Sequence, residues 1–327
     1  MVAMMDVPSR TVVADRGDMG QRLDLVLRRH MTGVGGATRT RVQGWIENGH
    51  VAINGRPVRR VASRTAFGDV VTIVLPTPLP RATTTTDHPP LSVLFEDDHL
   101  LALNKPAGVV VHPAYKHPAG TLLNALRAYA SQWPANTRPS LLGRLDRLTS
   151  GIIVVAKTAS VHARLQATLV SRHATKEYLA VVYGRVNVVC GEIELPLAPD
   201  PFDRRRVVVS PADGVPSATR WTRLARVAAP KAGLALLRCQ LLTGRKHQIR
   251  VHLAARGWPL VGDPTYGQPH WSRVTDSSLS AALRDFPRQA LHAWRVAFAH
   301  PVTATRLIVE APVPADLQEL LAVSGLR

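Results

Sequence analysis

GRLDRLTSGIIVVAKT, residues 143–158, packs three kinds of residue into one stretch. Arg144, Leu145 and Asp146 put a cation and a carboxylate two positions apart, which places both on one face of an extended backbone. Thr149, Ser150 and Gly151 follow as a polar turn in which glycine permits close backbone approach. Ile152, Ile153, Val154, Val155 and Ala156 then form a short apolar run that reads as a fully buried strand. A carboxylate on a loop entering such a strand is partly desolvated, and it stays charged only where a cation or several donors meet it. An isolated R-x-D is ordinarily a structural salt bridge, since ion-pair networks also perturb carboxylates. The rest of the chain points the other way.

GRLDRLTSG resembles the HRLD-x-x-T-S-G signature of the RluA-type pseudouridine synthases, whose aspartate is catalytic. Four further blocks are similar to the family's and stand in its order. They are FEDDHLLALNKPAGVVVHP (95–113), KEYLAVVYG (176–184), LLTGRKHQIRVHLAARGWPLVGDPTYG (241–267) and RQALHAWRVAF (288–298). The resemblance covers about residues 91–315. Gly143 stands where the family usually carries histidine.

A chain of 327 residues suits one large or two smaller domains with a real apolar core. Its formal charge is +18, and all but six of its 41 basic residues are arginine. Arginine forks take phosphate bidentately and stack on bases, so this balance favours a nucleic-acid partner. Codon preference would account for arginine over lysine, but not for the excess over 23 acidic residues. No run approaches the ~20 apolar residues of a membrane-spanning helix, and the N-terminal MVAMMDVPSR lacks the apolar core of a signal peptide. Cys190 and Cys239 form neither a disulfide framework nor a metal set, and both are expected to be inert core thiols. The cytoplasm is the expected compartment, and a monomer the expected state.

Residues 1–19 read as a flexible leader. From Gln21 the pattern turns helical, with Leu23, Val26 and Leu27 at i, i+3 and i+4. Past the glycines at 33, 35 and 36, Thr40 is a candidate N-cap for a second helix bearing Val42, Trp45 and Ile46. That GVGG run precedes no strand–helix unit and is not a nucleotide loop. Gly49 suits a left-handed C-cap, Asn54-Gly55 is a strong hairpin signal, and Gly68-Asp69 opens a strand through Val74. These segments (RLDLVLRR, TRTRVQGWIENGHVAINGRPV and GDVV) resemble the S-four (αL) RNA-binding domain over about residues 20–78, a small α/β module. Arg22, Arg39 and Arg41, near its helix starts, are its candidate RNA contacts. The Pro/Thr-rich run PTPLPRATTTTDHPP (76–90) reads as a semi-rigid spacer, with the linker placed at 79–90.

Residues 91–327 read as the catalytic domain. Val93–Phe95 and Leu100–Leu103 form a hairpin around Glu96-Asp97-Asp98, and Val109–Val111 is expected as a further strand. Thr121 caps a helix carrying Leu122, Leu126 and Tyr129, and Ser160 is expected to cap another with Val161, Leu165 and Leu169. Strands are expected at Lys176–Gly184, Ala235–Leu242, Leu291–Phe298 and Leu307–Val309. Helices are expected at about 246–256, ended by Gly257, and near 315–321; Arg204-Arg205-Arg206 marks a basic loop. Many strands with scattered helices argue an α+β class with a mixed, largely antiparallel sheet.

The reaction that the resemblance implies breaks the uridine N1–C1′ bond, turns the base and joins its C5 to C1′. No atoms are added and no redox change occurs, so neither metal nor cofactor is required. No GxGxxG after a strand, Walker loop or HExxH is present. One ionised carboxylate beside the sugar is needed, as nucleophile or proton-transfer group, and the resemblance gives that role to Asp146. It makes Arg250 the paired cation, and periodicity agrees, since His247, Arg250, Val251 and Ala254 share one helical face. It makes Tyr178 the active-site tyrosine, a surface on which a flipped uracil stacks. Arg245 and Lys246, at the expected helix N-terminus, are candidate phosphate clamps, and Arg144 a candidate contact to the RNA. His112, His252 and His292 lack zinc spacing and are expected to be hydrogen-bonded structural residues. No second carboxylate is expected to stand by Asp146, which argues against a glycoside hydrolase, whose two carboxyl groups lie ~5–9 Å apart. Ribosomal RNA is the favoured substrate, with tRNA, or a non-catalytic RNA-binding or assembly role, as alternatives.

Overall fold

The structure is a computed structural model. It describes residues 9–31, 38–75, 90–113, 119–171, 173–203, 205–227, 233–267, 272 and 274–326. The chain divides into two compact units, Met1–Thr85 and Thr86–Arg327. The linker placed at 79–90 falls almost wholly outside the described residues, as do the GVGG run at 33–36 and the first arginine of the basic loop.

In the first unit β1 (Ser9–Val13) precedes α1 (Leu23–His30), α2 (Arg39–Glu47), β2 (Val51–Ile53), β3 (Arg56–Pro57) and β4 (Val70–Val74). The strands form an antiparallel sheet in the order β1-β4-β2-β3. Leu23 and Leu27 of α1 and Val42, Trp45 and Ile46 of α2 bury against Val51, Val71 and Ile73 of that sheet. Asn54 and Gly55, both at positive φ, make the tight turn between β2 and β3. Two expectations are corrected. Ser9–Val13 lies in the stretch read as a leader but pairs with β4 along its length. The α2 cap is Thr38, whose hydroxyl accepts from the Arg41 N–H, and Thr40 lies inside the first turn.

The second unit runs β5 (Ser92–Glu96), β6 (Leu100–Lys105), α3 (Leu122–Tyr129), β7 (Ser140–Leu142), β8 (Ser150–Ala156), α4 (Ala159–Val170) and β9 (Thr175–Tyr183). It continues through β10 (Cys190–Glu194), β11 (Leu197–Pro199), β12 (Val207–Val209), β13 (Ala218–Val227), β14 (Leu234–Leu241) and α5 (Gln248–Ala255). It ends with α6 (Ser277–Asp285), β15 (Leu291–Ala299), β16 (Arg306–Glu310) and α7 (Ala315–Val323). The main sheet follows β10-β13-β14-β9-β15-β8-β6-β5, with β16 beside β15 and β7 beside β8. All its pairings are antiparallel except β15 with β8, so the sheet is mixed and largely antiparallel, in an α+β fold.

The faces of β8 explain its unbroken apolar run, since alternate residues meet different helices. Val161 and Leu165 of α4 cover Ile152 and Val154 on one face. Leu122 and Leu126 of α3 cover Ile153 and Val155 on the other. Where β8 meets β15, Gly151 has φ 111°, and a Cβ there would lie 2.1 Å from the Ala293 carbonyl oxygen. The glycine is what lets the two strands touch.

Three further readings differ. Val109–Val111 is not a strand, because the Val110 and Val111 carbonyls accept the first N–H groups of α3 and the Val109 carbonyl accepts from Lys105. Thr158, not Ser160, caps α4 through the Val161 N–H. Cys239 is buried as expected, but Cys190 opens the edge strand β10 and is exposed. Among the described residues no helix is long and apolar enough to cross a membrane.

Gly151 and Gly143 separate two costs. Gly143 also has positive φ, 82°, but no atom lies within 4 Å of its added Cβ. Gly143→Ala should therefore cost only backbone strain, about 1 kcal/mol. Gly151→Ala adds a clash with backbone and should cost more, about 3 kcal/mol or above. Urea unfolding of the two variants checks the order.

Candidate active site

Asp146 sits on the loop between β7 and β8, and buried groups hold that loop from below. The Arg147 carbonyl accepts from the Gly108 N–H at 2.8 Å and from Lys105 Nζ at 3.1 Å. Lys105 gives its other two N–H groups to the Pro106 and Val109 carbonyls. Burial, and after it Arg288, pushes the Lys105 ammonium down to about 7, while Asp146 opposes the shift. The three carbonyls favour the charged form, since each meets one N–H of the ammonium. Arg288, fixed by Asp316 at 2.6 and 2.9 Å, reaches the Leu148 carbonyl, and Gln289 donates to Thr149 Oγ1 at 3.0 Å. Ser150 Oγ pairs with His292 Nδ1 at 2.9 Å.

Above the loop, α5 brings Arg250 between two carboxylates. Its Nη1 donates to Asp146 Oδ2 at 2.8 Å, while Nε and Nη2 donate to Asp263 at 2.7 and 2.8 Å. The Asp263 side chain is 1% exposed, Arg250 5% and Asp146 25%. Burial raises the Asp263 carboxyl, but Arg250 and the N–H groups of Thr265 and Tyr266 outweigh it and hold it below its ordinary value. Burial likewise lowers Arg250, and the two aspartates more than reverse this, so the guanidinium stays charged.

The expectation of no second carboxylate near Asp146 is thus corrected. Asp263, within the GDPTYG block, lies one guanidinium away, and Glu177 lines the same cleft. Neither is free: Asp263 is spent on Arg250 and two backbone N–H groups, and Glu177 on Arg295 at 2.7 Å.

His247, the N-cap residue of α5, is left-handed at φ 56°. Tyr266 Oη accepts the Val207 N–H and pairs with His247 Nδ1 at 2.8 Å, which fixes the ring. His247 Nε2 faces Asp146 Oδ1 at 3.7 Å, beyond hydrogen-bond reach. Burial pushes the imidazole down to about 4 against the pull of Asp146, so it is neutral. Asp146 Oδ1 accepts no hydrogen bond among the described residues and opens to the cleft. Tyr178 lines the cleft from β9, and burial, reinforced by Asp146, drives its phenol well above the ordinary value. It keeps its proton and offers a ring face and a donor.

The cleft encloses about 230 Å³. Asp146, Tyr178, Arg250, Arg144 and Arg245 all line it, the last two exposed at its rim. Lys246 does not; its ammonium donates to the Arg205 carbonyl at 2.8 Å. The expected helix start at 246 is also two residues early. In the first unit, buried Asp24 accepts from Arg22 at 2.9 Å and Gln43 at 3.0 Å and pairs with Arg39 at 3.9 Å. Arg41 lies over the Trp45 ring at 5.8 Å and is exposed. His252 and His292 are buried and hydrogen-bonded, as expected, whereas His112 is exposed. Asp15, Asp18 and His30 bring ligand-type atoms within 4.8 Å of one another, but Arg29 donates to both carboxylates, a poor setting for a cation.

Both parts of the chain match known protein families. The model of the RNA pseudouridylate synthase family matches residues 99–255, and that of the S4 (S-four) domain residues 21–71. Ribosomal large subunit pseudouridine synthase D of Xanthomonas campestris pv. campestris is 39% identical over 99% of this chain and 94% of its own length. The chain belongs to the RluA-type RNA pseudouridine synthases. An uncharacterized RNA pseudouridine synthase of Bacillus subtilis, YlyB, is 38% identical over 87% of this chain and 88% of its own. The solved structure of human RNA pseudouridylate synthase domain containing 1 shares 26% identity, with a TM-score of 0.55 over 71% of this chain and 87% of that one. As a pseudouridine synthase the protein is an isomerase.

The buried histidines of this synthase predict an acid-side loss of stability. His247 and His292 are both pushed down to about 4 from an ordinary value of 6.5, chiefly by burial. Between those values the unfolded chain binds protons that the folded chain does not, so stability falls as pH is lowered through the window. The drop in unfolding free energy from pH 7 to 4.5 should be smaller for His292→Gln than for wild type. Urea titrations at both pH values measure it, and an equal drop would show that His292 is not a source.

Proposed function

We propose that the protein isomerises specific uridines of large-subunit ribosomal RNA to pseudouridine, with Asp146 acting on the ribose. The observation that carries this is the Arg250 bridge, which fixes Asp146 by one oxygen and leaves the other facing a cleft lined by Tyr178. Asp146 Oδ1 is the oxygen poised as nucleophile or proton-transfer group at the sugar, while Arg250 balances the charge. As N1–C1′ breaks and C5–C1′ forms, one proton leaves C5 and one is gained at N1, so the reaction is balanced within the nucleotide and its surroundings. Tyr178 supplies the stacking face for the extruded uracil, worth about 1–3 kcal/mol per base. Arg144 and Arg245 meet the RNA at the rim. Extrusion from a paired region costs a few kcal/mol, which these contacts offset.

The choice of ribosomal RNA is supported by the relatives named for the large subunit. Residues 20–78 are read as the RNA-gripping domain, 79–90 as the linker and 91–327 as the catalytic domain. The Asp24-held Arg22 and Arg39, with Arg41, form the phosphate-facing set. The protein is read as acting as a monomer, and a ribosomal RNA substrate fits a cytoplasmic location.

Asp146→Asn should leave folding and RNA affinity nearly intact and abolish turnover; activity above a few per cent of wild type would sink the assignment. Mapping pseudouridine in total RNA from cells with and without the protein tests the substrate, and loss confined to tRNA would overturn it. Arg41→Gln should raise the RNA Michaelis constant and flatten the slope of log affinity against log salt by about 0.7–0.9. Its single-turnover rate at saturating RNA should match wild type.

A further inference from the structure

The charged groups of the cleft pair off with one interior remainder. Arg250 is shared by Asp146 and Asp263, and Arg295 donates to Glu177 at 2.7 Å and pairs with Glu310 at 3.0 Å. Lys176 is different. It lines the cleft from β9, half-buried, and among the described residues no carboxylate or carbonyl holds its ammonium. Glu177 does not serve, because its carboxylate is already taken by Arg295 at 2.7 Å and Arg238 at 3.6 Å. Burial alone pushes the Lys176 ammonium below its ordinary value, with no anion opposing the shift. A half-buried, unpaired ammonium destabilises the free protein, and an anion arriving with the substrate would remove that penalty.

The position suggests which anion. Lys176 and Tyr178 project from the same face of β9, two residues and about 7 Å apart along the strand. A base lying on Tyr178 therefore has its own backbone within reach of the lysine. A uracil carbonyl is a neutral acceptor and leaves the charge unbalanced, whereas a phosphate oxygen makes a charge-assisted bond that strengthens in a partly dry cleft. We propose that Lys176 is the phosphate receptor inside the cleft, gripping an RNA phosphate next to the uridine on which Asp146 acts. This rests on the catalytic reading of Asp146 given above.

Lys176→Met and Lys176→Arg, each alone and combined with Asp146→Asn, test it against a short RNA carrying the uridine identified by the cellular mapping. That RNA is made natural or with one methylphosphonate, on the 5′ or the 3′ side of the target. Lys176→Met should weaken binding tenfold or more and flatten the salt slope by about 0.7–0.9. Lys176→Arg should restore most of the affinity. One of the two methylphosphonates should weaken wild type but add nothing to Lys176→Met, and the same pattern should hold with Asp146→Asn, where no chemistry occurs. The melting temperature of Lys176→Met should equal or exceed that of wild type, which separates a lost contact from a lost fold. Wild-type affinity and salt slope in Lys176→Met, or undiminished methylphosphonate penalties at both positions, would overturn the proposal. Absence of turnover in wild type would instead overturn the reading of Asp146 and leave the binding result to stand for Lys176.

Discussion

One guanidinium holds the catalytic unit's cleft in register. Arg250 is nearly closed off from solvent, and a cation there is tolerated only with full pairing. Asp263, thirteen residues along the chain, takes Nε and Nη2 in a two-pronged contact that fixes the plane of the group. The Tyr266 ring lies beneath it at 5.0 Å. With the fork so clamped, Nη1 points in one direction, and Asp146 meets it there from 104 residues away. Removing either carboxylate would not act alone. Loss of Asp263 would free the guanidinium to turn, and loss of Asp146 would leave the loop without its tether to α5.

That tether works because the sheet brings its two halves together at one point. β8 and β15 run parallel and pair over only two residues on each strand, His292 with Ser150 and Ala293 with Gly151. The contact is narrow, and Gly151 is the residue whose missing side chain allows it. From there the Asp146 loop is pinned on its underside by two buried cations: Lys105, whose ammonium meets three backbone carbonyls, and Arg288, which Asp316 holds while its Nη1 reaches the Leu148 carbonyl. Cations holding carbonyls on one side and a carboxylate–guanidinium pair on the other leave the loop little freedom. Such a frame suits a site in which the protein must present one oxygen to a sugar with little reorganisation.

Much of this is legible in the amino-acid order, for reasons that differ by residue. Asp146, Tyr178 and Arg250 each sit in a contiguous run whose residue types repeat the family's pattern, and all three line the cleft. Asp263 escapes notice although it lies in a quoted block, because its partner is fixed only when the turn after α5 folds back on the helix. The burial of Lys105 is not legible in its own segment, since it depends on a loop 42 positions away. The strand at Ser9–Val13 carries too short and polar a pattern to stand apart from a leader until β4 pairs with it. Val109–Val111 has β-branched residues without a ladder to join, as their carbonyls go to Lys105 and α3. Two helix caps read two residues late because threonines and serines cluster there, and only backbone angles distinguish which one caps.

The same burial has opposite effects on the groups around Asp146. It keeps His247 unprotonated and Tyr178 protonated, so two titratable side chains beside the aspartate are neutral at physiological pH. At Arg250 burial opposes the charge, and the two surrounding carboxylates more than offset it. Around Arg250 the charged groups form one three-group cluster, Asp146–Arg250–Asp263, with a single formal negative charge. His247 is held by Tyr266 with its Nε2 facing Asp146 Oδ1 at 3.7 Å, too far for a hydrogen bond. Of the four carboxylate oxygens in the cluster, three accept at least one short hydrogen bond, and Asp146 Oδ1 accepts none among the described residues. The least satisfied acceptor of the cluster thus opens to the cleft, and in the proposed reaction a proton or carbon centre brought there would meet the excess negative charge directly.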